Sequence, residues 1–273
     1  MMDDHFKVAA IQMVTTPDVV KNCAAARQLV KEAVDQGAQL VLLPEYWVVM
    51  GLHEKDKLAL AEQDGQGEIQ SFMAGLAREF KIWLIGGTIP MSTEDSGAAC
   101  EQVYNTTLVF DPSGQQVARY DKIHLFSFHR GTESFEESRT ILAGKDVVAF
   151  DAPFGRVGLS VCYDLRFPEL YRAMGDCAMI VVPAAFTVTT GKVHWEVLLR
   201  ARAIENQCYV LAAAQGGHHE NGRHTWGHTM LIDPWGNIQS VLAEGEGVVV
   251  GDIELQRLQE VRENLPATRH RRL

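Results

Sequence analysis

Short apolar runs, each cut off by proline or glycine and followed by a segment of helical periodicity, constrain this chain more than any other feature. The clearest is Gln39-Leu40-Val41-Leu42-Leu43, nearly all apolar and stopped by Pro44. A strand with no polar face has to be covered on both sides, which argues for a sheet packed inside a mixed α/β structure. Residues 7–14 read as another buried strand, followed by a helix over 18–36 that Asp18 caps after Pro17 and Gly37 closes. A helix over 67–80 and a strand over 82–85, ending at Gly86-Gly87, repeat the unit.

The texture then changes. Residues 103–110 and 115–120 predict a hairpin around Asp111-Pro112-Ser113-Gly114. Residues 121–144 have little periodicity and read as a long loop, the kind that rims a binding site. Strands over 147–150 and 156–161 flank Pro153-Phe154-Gly155, and the second delivers Cys162. A helix over 168–174, a strand over 178–182 and a helix over 193–206 follow; Val197, Leu198, Ala201 and Ile204 recur at helical spacing and predict its buried face. Strands over 209–214, 229–232, 238–242 and 248–253, with a turn at Asp233-Pro234-Trp235-Gly236, lead to a final helix near Glu254. The polar stretches 91–101 and 217–224 read as surface loops. With no linker-like break, the pattern is one domain of mixed sheets covered by helices.

Composition narrows the function. A formal net charge of -10 at pH 7, from 25 Lys and Arg against 35 Asp and Glu, argues against nucleic acid or anionic lipid as a partner. The Arg269-His270-Arg271-Arg272 run reads as a solvated tail. The longest apolar run, 177–186, is too short to span a bilayer and contains Pro183, and Met1-Met2-Asp3-Asp4 is acidic where a secretory signal is basic. Five scattered cysteines show no structural zinc spacing. The expectation is a soluble cytoplasmic protein without membrane association.

Three strand ends carry the candidates for chemistry: Glu45 after Leu43, Cys162 after Val161, and residues 183–187 after Val182. Carboxyl ends of strands are where α/β proteins gather sites. A cysteine ending a buried strand is ordinarily a packing residue. Cys162 differs because Tyr163-Asp164-Leu165-Arg166-Phe167-Pro168-Glu169 follows it, a strand-to-helix junction whose backbone N–H groups suit a thiolate or an oxyanion. Cys23, Cys100, Cys177 and Cys208 lack that setting. Seven histidines (His124, His129, His194, His218, His219, His224 and His228) lie in or near loops or element starts, and none is singled out as a partner for Cys162. Their spacing matches no strong metal site, and neither Gly86-Gly87 nor Gly216-Gly217 continues into a nucleotide fingerprint, so no metal or cofactor is expected.

Three motifs in order, Leu42-Leu43-Pro44-Glu45, Tyr120-Asp121-Lys122-Ile123-His124-Leu125 and Gly158-Leu159-Ser160-Val161-Cys162-Tyr163-Asp164-Leu165-Arg166-Phe167-Pro168-Glu169, resemble the nitrilase superfamily of carbon–nitrogen hydrolases over about 7–262. The resemblance implies a four-layer αββα sandwich, a single domain across 1–273 with a short polar tail, and a homodimer formed through the helical face. It assigns the catalytic Glu, Lys and Cys to Glu45, Lys122 and Cys162, and a second glutamate that positions the lysine to Glu137. Under that assignment Glu45 takes the thiol proton as Cys162 attacks an amide carbon, then returns it to the departing amine. Lys122 and the N–H of Tyr163 meet the charge on the tetrahedral oxygen, and water hydrolyses the resulting thioester.

Pro183-Ala184-Ala185-Phe186-Thr187, Thr190-Gly191-Lys192-Val193-His194-Trp195-Glu196 and Trp226-Gly227-His228-Thr229-Met230 resemble the branch that releases 2-oxoglutarate and cysteinylglycine from deaminated glutathione. The similar ω-amidases of 2-oxoglutaramate more often have Gly at 184 and Asn at 187. Both substrates are amides with a 2-oxo acid end, for which Arg166 and Thr187 are the candidate partners and Phe186 the wall of the acyl pocket. Arg166 paired with Asp164 or Glu169 is the purely structural alternative. A dipeptide leaving group also needs an open end, which 215–228 is placed to form. An aliphatic amidase, an N-carbamoyl amino acid hydrolase, a nitrilase and a non-enzymatic scaffold of the same fold stay open as alternatives.

Overall fold

The run after Gln39 is a strand inside a sheet, as its lack of a polar face demands. The structure, a computed structural model, describes residues 4–93, 101–131 and 133–272. In chain order come β1 (His5–Gln12), β2 (Leu40–Leu42), β3 (Trp83–Ile85), β4 (Ile89–Met91), β5 (Val103–Phe110) and β6 (Gln116–Asp121). A hairpin of β7 (Ser127–Arg130) and β8 (Glu133–Glu136) follows, then β9 (Ile141–Leu142), β10 (Ala149–Ala152), β11 (Gly155–Leu159), β12 (Met179–Ala184) and β13 (Tyr209–Ala214). A second small hairpin, β14 (Gly216–His218) and β15 (His224–Trp226), precedes β16 (Thr229–Ile232), β17 (Ile238–Leu242) and β18 (Gly247–Glu254).

Two sheets result. The first runs β18-β1-β2-β3-β5-β4, with β6 and β9 also paired to β5; the second runs β10-β11-β12-β13-β16-β17. The central strands β1 to β3 and β11 to β13 are parallel, and antiparallel strands flank them. Alternation along β1 shows how the layers form. Val8 and Ala10 join a core shared with Val181, Val210 and Leu231 of the second sheet, whereas Ala9 and Ile11 join a core with helices α1 (Val19–Asp35) and α2 (Glu68–Phe80). Helices α3 (Pro168–Ala173) and α4 (Val188–Asn206) cover the second sheet, with Tyr171, Trp195, Leu199 and Ala203 in its core. The order of layers is helix, sheet, sheet, helix, the αββα sandwich expected. Helix α5 (Leu255–Asn264) follows β18. The predicted cap of α1 is in place: Asp18 accepts from the N–H groups of Val20 and Lys21 at 3.0 and 3.1 Å, a contribution of about 1 kcal/mol.

Three expectations need correction. Residues 121–144 are not a bare loop; they hold the β7–β8 hairpin, a 3-10 turn over Glu137–Arg139 and β9. The hairpin's half-exposed faces leave no strong alternation to read. Residues 217–224 likewise belong to the β14–β15 hairpin, and His219 within them is buried. Helix α4 starts at Val188 rather than 193, because Thr187 caps it and Gly191 lets it lie against Trp226, where a Cβ would stand 2.4 Å from the indole. Its buried face is Trp195, Leu199 and Ala203, while Val197 and Ile204 point outward at 66% and 50% exposure. The Arg269-His270-Arg271-Arg272 tail is exposed as expected. Cys100 and most of the 91–101 stretch lie outside the described residues. Among the described residues no helix is long and apolar enough to cross a membrane.

Candidate active site

Beyond the end of β2, Pro44 turns the chain and Glu45 enters the space between the sheets at 1% exposure. The turn depends on Gly87: its φ is +50°, and a Cβ there would lie 2.0 Å from the Pro44 carbonyl oxygen. Glu45 is tied down from both sheets. Its Oε1 accepts from Asn105 Nδ2 and Lys122 Nζ, each at 2.9 Å, and its Oε2 accepts from the backbone N–H of Ala185 at 2.9 Å. Its own carbonyl accepts from Gln215 Nε2 at 3.0 Å.

Lys122 follows β6 and is wholly buried, with Nζ 2.9 and 2.8 Å from the two oxygens of Glu137 as well as 2.9 Å from Glu45. Glu137 also accepts from the Tyr46 hydroxyl and the Phe126 N–H, both at 2.8 Å. Two carboxylates therefore share one ammonium. Burial lifts Glu45 above the usual carboxylate range; Lys122 opposes that lift and the charge of Glu137 adds to it. Glu137 goes the other way, since Lys122 and the donors around it outweigh its burial. Burial would lower Lys122, but Glu137 and Glu45 hold it well above its ordinary value. The ammonium stays charged, and Glu45 is the carboxylate with raised proton affinity.

Cys162 opens a 3-10 turn over Cys162–Arg166, two residues after Ser160, with a φ of +50°. That left-handed conformation costs a residue with a side chain about 1–2 kcal/mol, so neighbours have to impose it. Asp164 does so. Its Oδ2 accepts from the Val161 N–H at 2.8 Å and the Tyr120 hydroxyl at 2.7 Å, and its Oδ1 accepts from His124 N–H at 3.0 Å, with His124 Nδ1 at 2.7 Å. Below the turn, Ser160 Oγ donates to the Val181 carbonyl at 2.9 Å and accepts from the Tyr171 hydroxyl at 3.0 Å. Burial, then the charge of Glu45, push the Cys162 thiol well up, and Lys122 pulls against them. The thiol lies near enough to Glu45 and Lys122 for both charges to act on it. A free thiolate is disfavoured here, and the adjacent carboxylate is the group able to take its proton.

The other expected residues surround the thiol. A cavity of about 20 Å³ is bordered by Cys162, Tyr163, Arg166, Phe186, Thr187 and Phe126, among others. The Arg166 guanidinium lies 5.6 Å from the Tyr163 ring and 5.4 Å from the Phe186 ring, and its Nη1 is 3.2 Å from His194 Nδ1. The alternative pairing with Asp164 is not made; Asp164 serves Tyr120, His124 and Val161 instead. Thr187 has a structural job, since its hydroxyl accepts from the Thr190 N–H at 3.4 Å and caps α4. Of the histidines, His124 enters only through Asp164 and His194 only through Arg166. His218 and His224 stack at 3.6 Å and, with Glu244, bring three possible ligand atoms within 4.8 Å, on an exposed rim.

Asn105, Gln215, Tyr46 and the hub role of Asp164 were not foreseen. Asn105 had a visible signal, an amide in the middle of a strand of Val, Thr and Leu. Gln215 and Tyr46 had none, because their partners lie 170 and 91 residues away.

A sequence model of the family described as carbon-nitrogen hydrolase matches residues 7–263. A deaminated glutathione amidase of Synechocystis sp. is 41% identical over 271 residues, 97% of this chain and 98% of that one. Omega-amidase NIT2 of Homo sapiens is 38% identical over 275 residues, covering 98% of this chain and 95% of that protein. The crystal structure of Saccharomyces cerevisiae Nit3, a member of branch 10 of the nitrilase superfamily, superposes with a TM-score of 0.88 at 29% identity, covering 100% of this chain and 98% of that one.

Proposed function

The chain belongs to the carbon-nitrogen hydrolase family, and on that premise we propose that it cleaves deaminated glutathione to 2-oxoglutarate and cysteinylglycine through a thioester on Cys162. The observation that carries this reading is the buried cluster in which the Glu45 carboxylate and the Lys122 ammonium pair at 2.9 Å and both charges act on the buried Cys162 thiol. Glu45 removes the thiol proton as sulfur bonds to the amide carbon. Lys122 and the Tyr163 N–H, at the start of the turn where such groups lack a helical acceptor, stabilise the tetrahedral oxygen. Collapse expels the amine, protonated by Glu45, and leaves the thioester. Glu45 then takes a proton from water as its oxygen attacks, and the acid departs with the thiol restored. Glu137 holds Lys122 in place throughout.

Support for the substrate comes from the relatives' activities and from the rim. Ala184 and Thr187 follow the deaminated glutathione branch, and Arg166 beside Phe186 offers a guanidinium for the 2-oxo acid carboxylate. The similarity to omega-amidase favours 2-oxoglutaramate as the second reading. The experiment is a comparison of kcat/KM for deaminated glutathione, 2-oxoglutaramate and an N-carbamoyl amino acid; preference for either of the latter displaces the first reading.

The enzyme acts as a single domain across 1–273, a reading supported by β18 closing the sheet that β1 begins. It works as a homodimer in the cytoplasm. Val193, Val197 and Ile204, exposed at 64%, 66% and 50% along one side of α4, support a partner on that helical face. Free thiols at Cys23, Cys162, Cys177 and Cys208 suit a reducing compartment.

A further inference from the structure

The space at the thiol continues outward. Ala185 and Thr187 border both the small cavity at Cys162 and an open groove of about 530 Å³. Across that groove, Ser134, Phe135, Asn221 and Arg223 are shared with a further cavity of about 190 Å³, which reaches Tyr46 and Lys57. Thiol cavity, groove and end cavity thus adjoin one another in series through shared walls.

Two cations stand at the far end. The Arg223 guanidinium lies 5.0 Å over the Phe135 ring, with Nη1 3.7 Å from Met50 Sδ, and Lys57 Nζ lies 5.8 Å over the Tyr46 ring. Among the described residues, no carboxylate comes within 4.0 Å of either cation. The acids along the walls do other things: Glu133 accepts from the Thr189 hydroxyl at 3.0 and 2.9 Å, and Glu54 is an exposed side chain that acts on Lys57 only at longer range. Arg223 is also pre-positioned. Its backbone N–H donates to Asn221 Oδ1 at 3.0 Å, its carbonyl accepts from the His219 N–H at 2.9 Å, and Asn221 Nδ2 donates to the Gly51 carbonyl at 2.8 Å. Two partly buried cations that line one cavity with no carboxylate in ion-pair contact, Glu54 and Glu137 acting on Lys57 only from beyond 4.0 Å, are a ready receptor for an anion.

We propose that Arg223 and Lys57 bind a carboxylate at the far end of the leaving group, so that the site selects amides with an anion on each side of the scissile bond. Arg166 takes the acyl-side anion and the Arg223–Lys57 pair the amine-side one. This rests on the amidase reading above and deepens it, because an amide that releases only ammonia has nothing to place there.

The test uses deaminated glutathione and its analogue in which the terminal glycine carboxylate is a primary amide, with release of 2-oxoglutarate as the readout. The wild-type enzyme should favour the acid in kcat/KM by roughly 10- to 100-fold, the worth of a charge-assisted pair. In Arg223→Gln that ratio should collapse towards one, and in Lys57→Gln it should fall part of the way. Inhibition of 2-oxoglutaramate turnover by cysteinylglycine against cysteinylglycinamide reads the same ratio without either compound being turned over. No acid preference in the wild type, or a loss in Arg223→Gln shared equally by acid and amide, overturns the proposal. If 2-oxoglutaramate proves the better substrate while the inhibition ratio still depends on Arg223, the substrate reading fails and the anion site stands.

Discussion

The amide of Asn105 donates to Glu45 Oε1 at 2.9 Å, sharing that oxygen with the ammonium of Lys122. Both donors favour the ionised carboxylate against a burial that favours the protonated one. Removing the amide therefore raises the Glu45 pKa further. As the proposed base, Glu45 has to be ionised to accept the thiol proton, so Asn105→Ala should move the acid limb of the kcat/KM profile to higher pH. An unmoved acid limb would detach Glu45 from that role.

Cys162→Ala should lower turnover by roughly 10³-fold or more while the circular dichroism spectrum and Tm stay close to wild type. The same thiol should be alkylated by iodoacetamide ahead of Cys177 and Cys208, not because its thiolate is favoured but because the proposed base Glu45 is placed to take its proton as sulfur attacks. Peptide mapping after partial alkylation checks the order. Residual wild-type turnover in the alanine variant would end the assignment.

Gly87→Ala should destabilise the protein by about 2–4 kcal/mol, through a positive φ and a clash with the Pro44 carbonyl. Because that carbonyl leads directly into Glu45, the stability still left should come with an additional loss of kcat. Denaturant unfolding and kinetics on the folded fraction separate the two effects.

His219 supplies a pH dependence of stability. The neutral ring is satisfied on both sides: Nδ1–H donates to the Thr15 carbonyl at 2.9 Å, and Nε2 accepts from the Thr225 hydroxyl at 2.8 Å. Burial, with Arg223 nearby, pulls its pKa below 6.5. As pH falls through the unfolded value, the unfolded chain takes up a proton that the folded one resists, and stability is lost. Between about pH 7 and pH 5.5 the Tm of His219→Phe should fall less than that of the wild type, whatever the variant's starting stability.

The parts of this site that could be read in advance are those where local chemistry breaks a pattern. Glu45 follows an apolar run ended by Pro44, and Cys162 leads into a polar junction, so both strand ends stood out. Lys122 and Glu137 became visible only through motif resemblance, since what orders them is contact with Glu45, Tyr46 and the Phe126 backbone rather than any period of their own. The misjudged face of α4 has a simple physical cause. Val197 and Ile204 form one apolar stripe and Trp195, Leu199 and Ala203 another, and periodicity detects stripes without choosing which one meets the sheet. Asn105 and Asp164 were within reach of a stricter question: what satisfies a buried amide or carboxylate?

Glu45 and Lys122 leave the first sheet, whereas Cys162 and Ala185 leave the second, and Ala185 N–H and Gln215 Nε2 tie Glu45 across the gap. Neither half of the sandwich holds a reactive centre alone. A folding intermediate with one sheet formed would carry the proposed nucleophile without its proposed base, or that base without the nucleophile, and have no turnover. On that reading, recovery of catalysis on refolding times the final docking of the two halves.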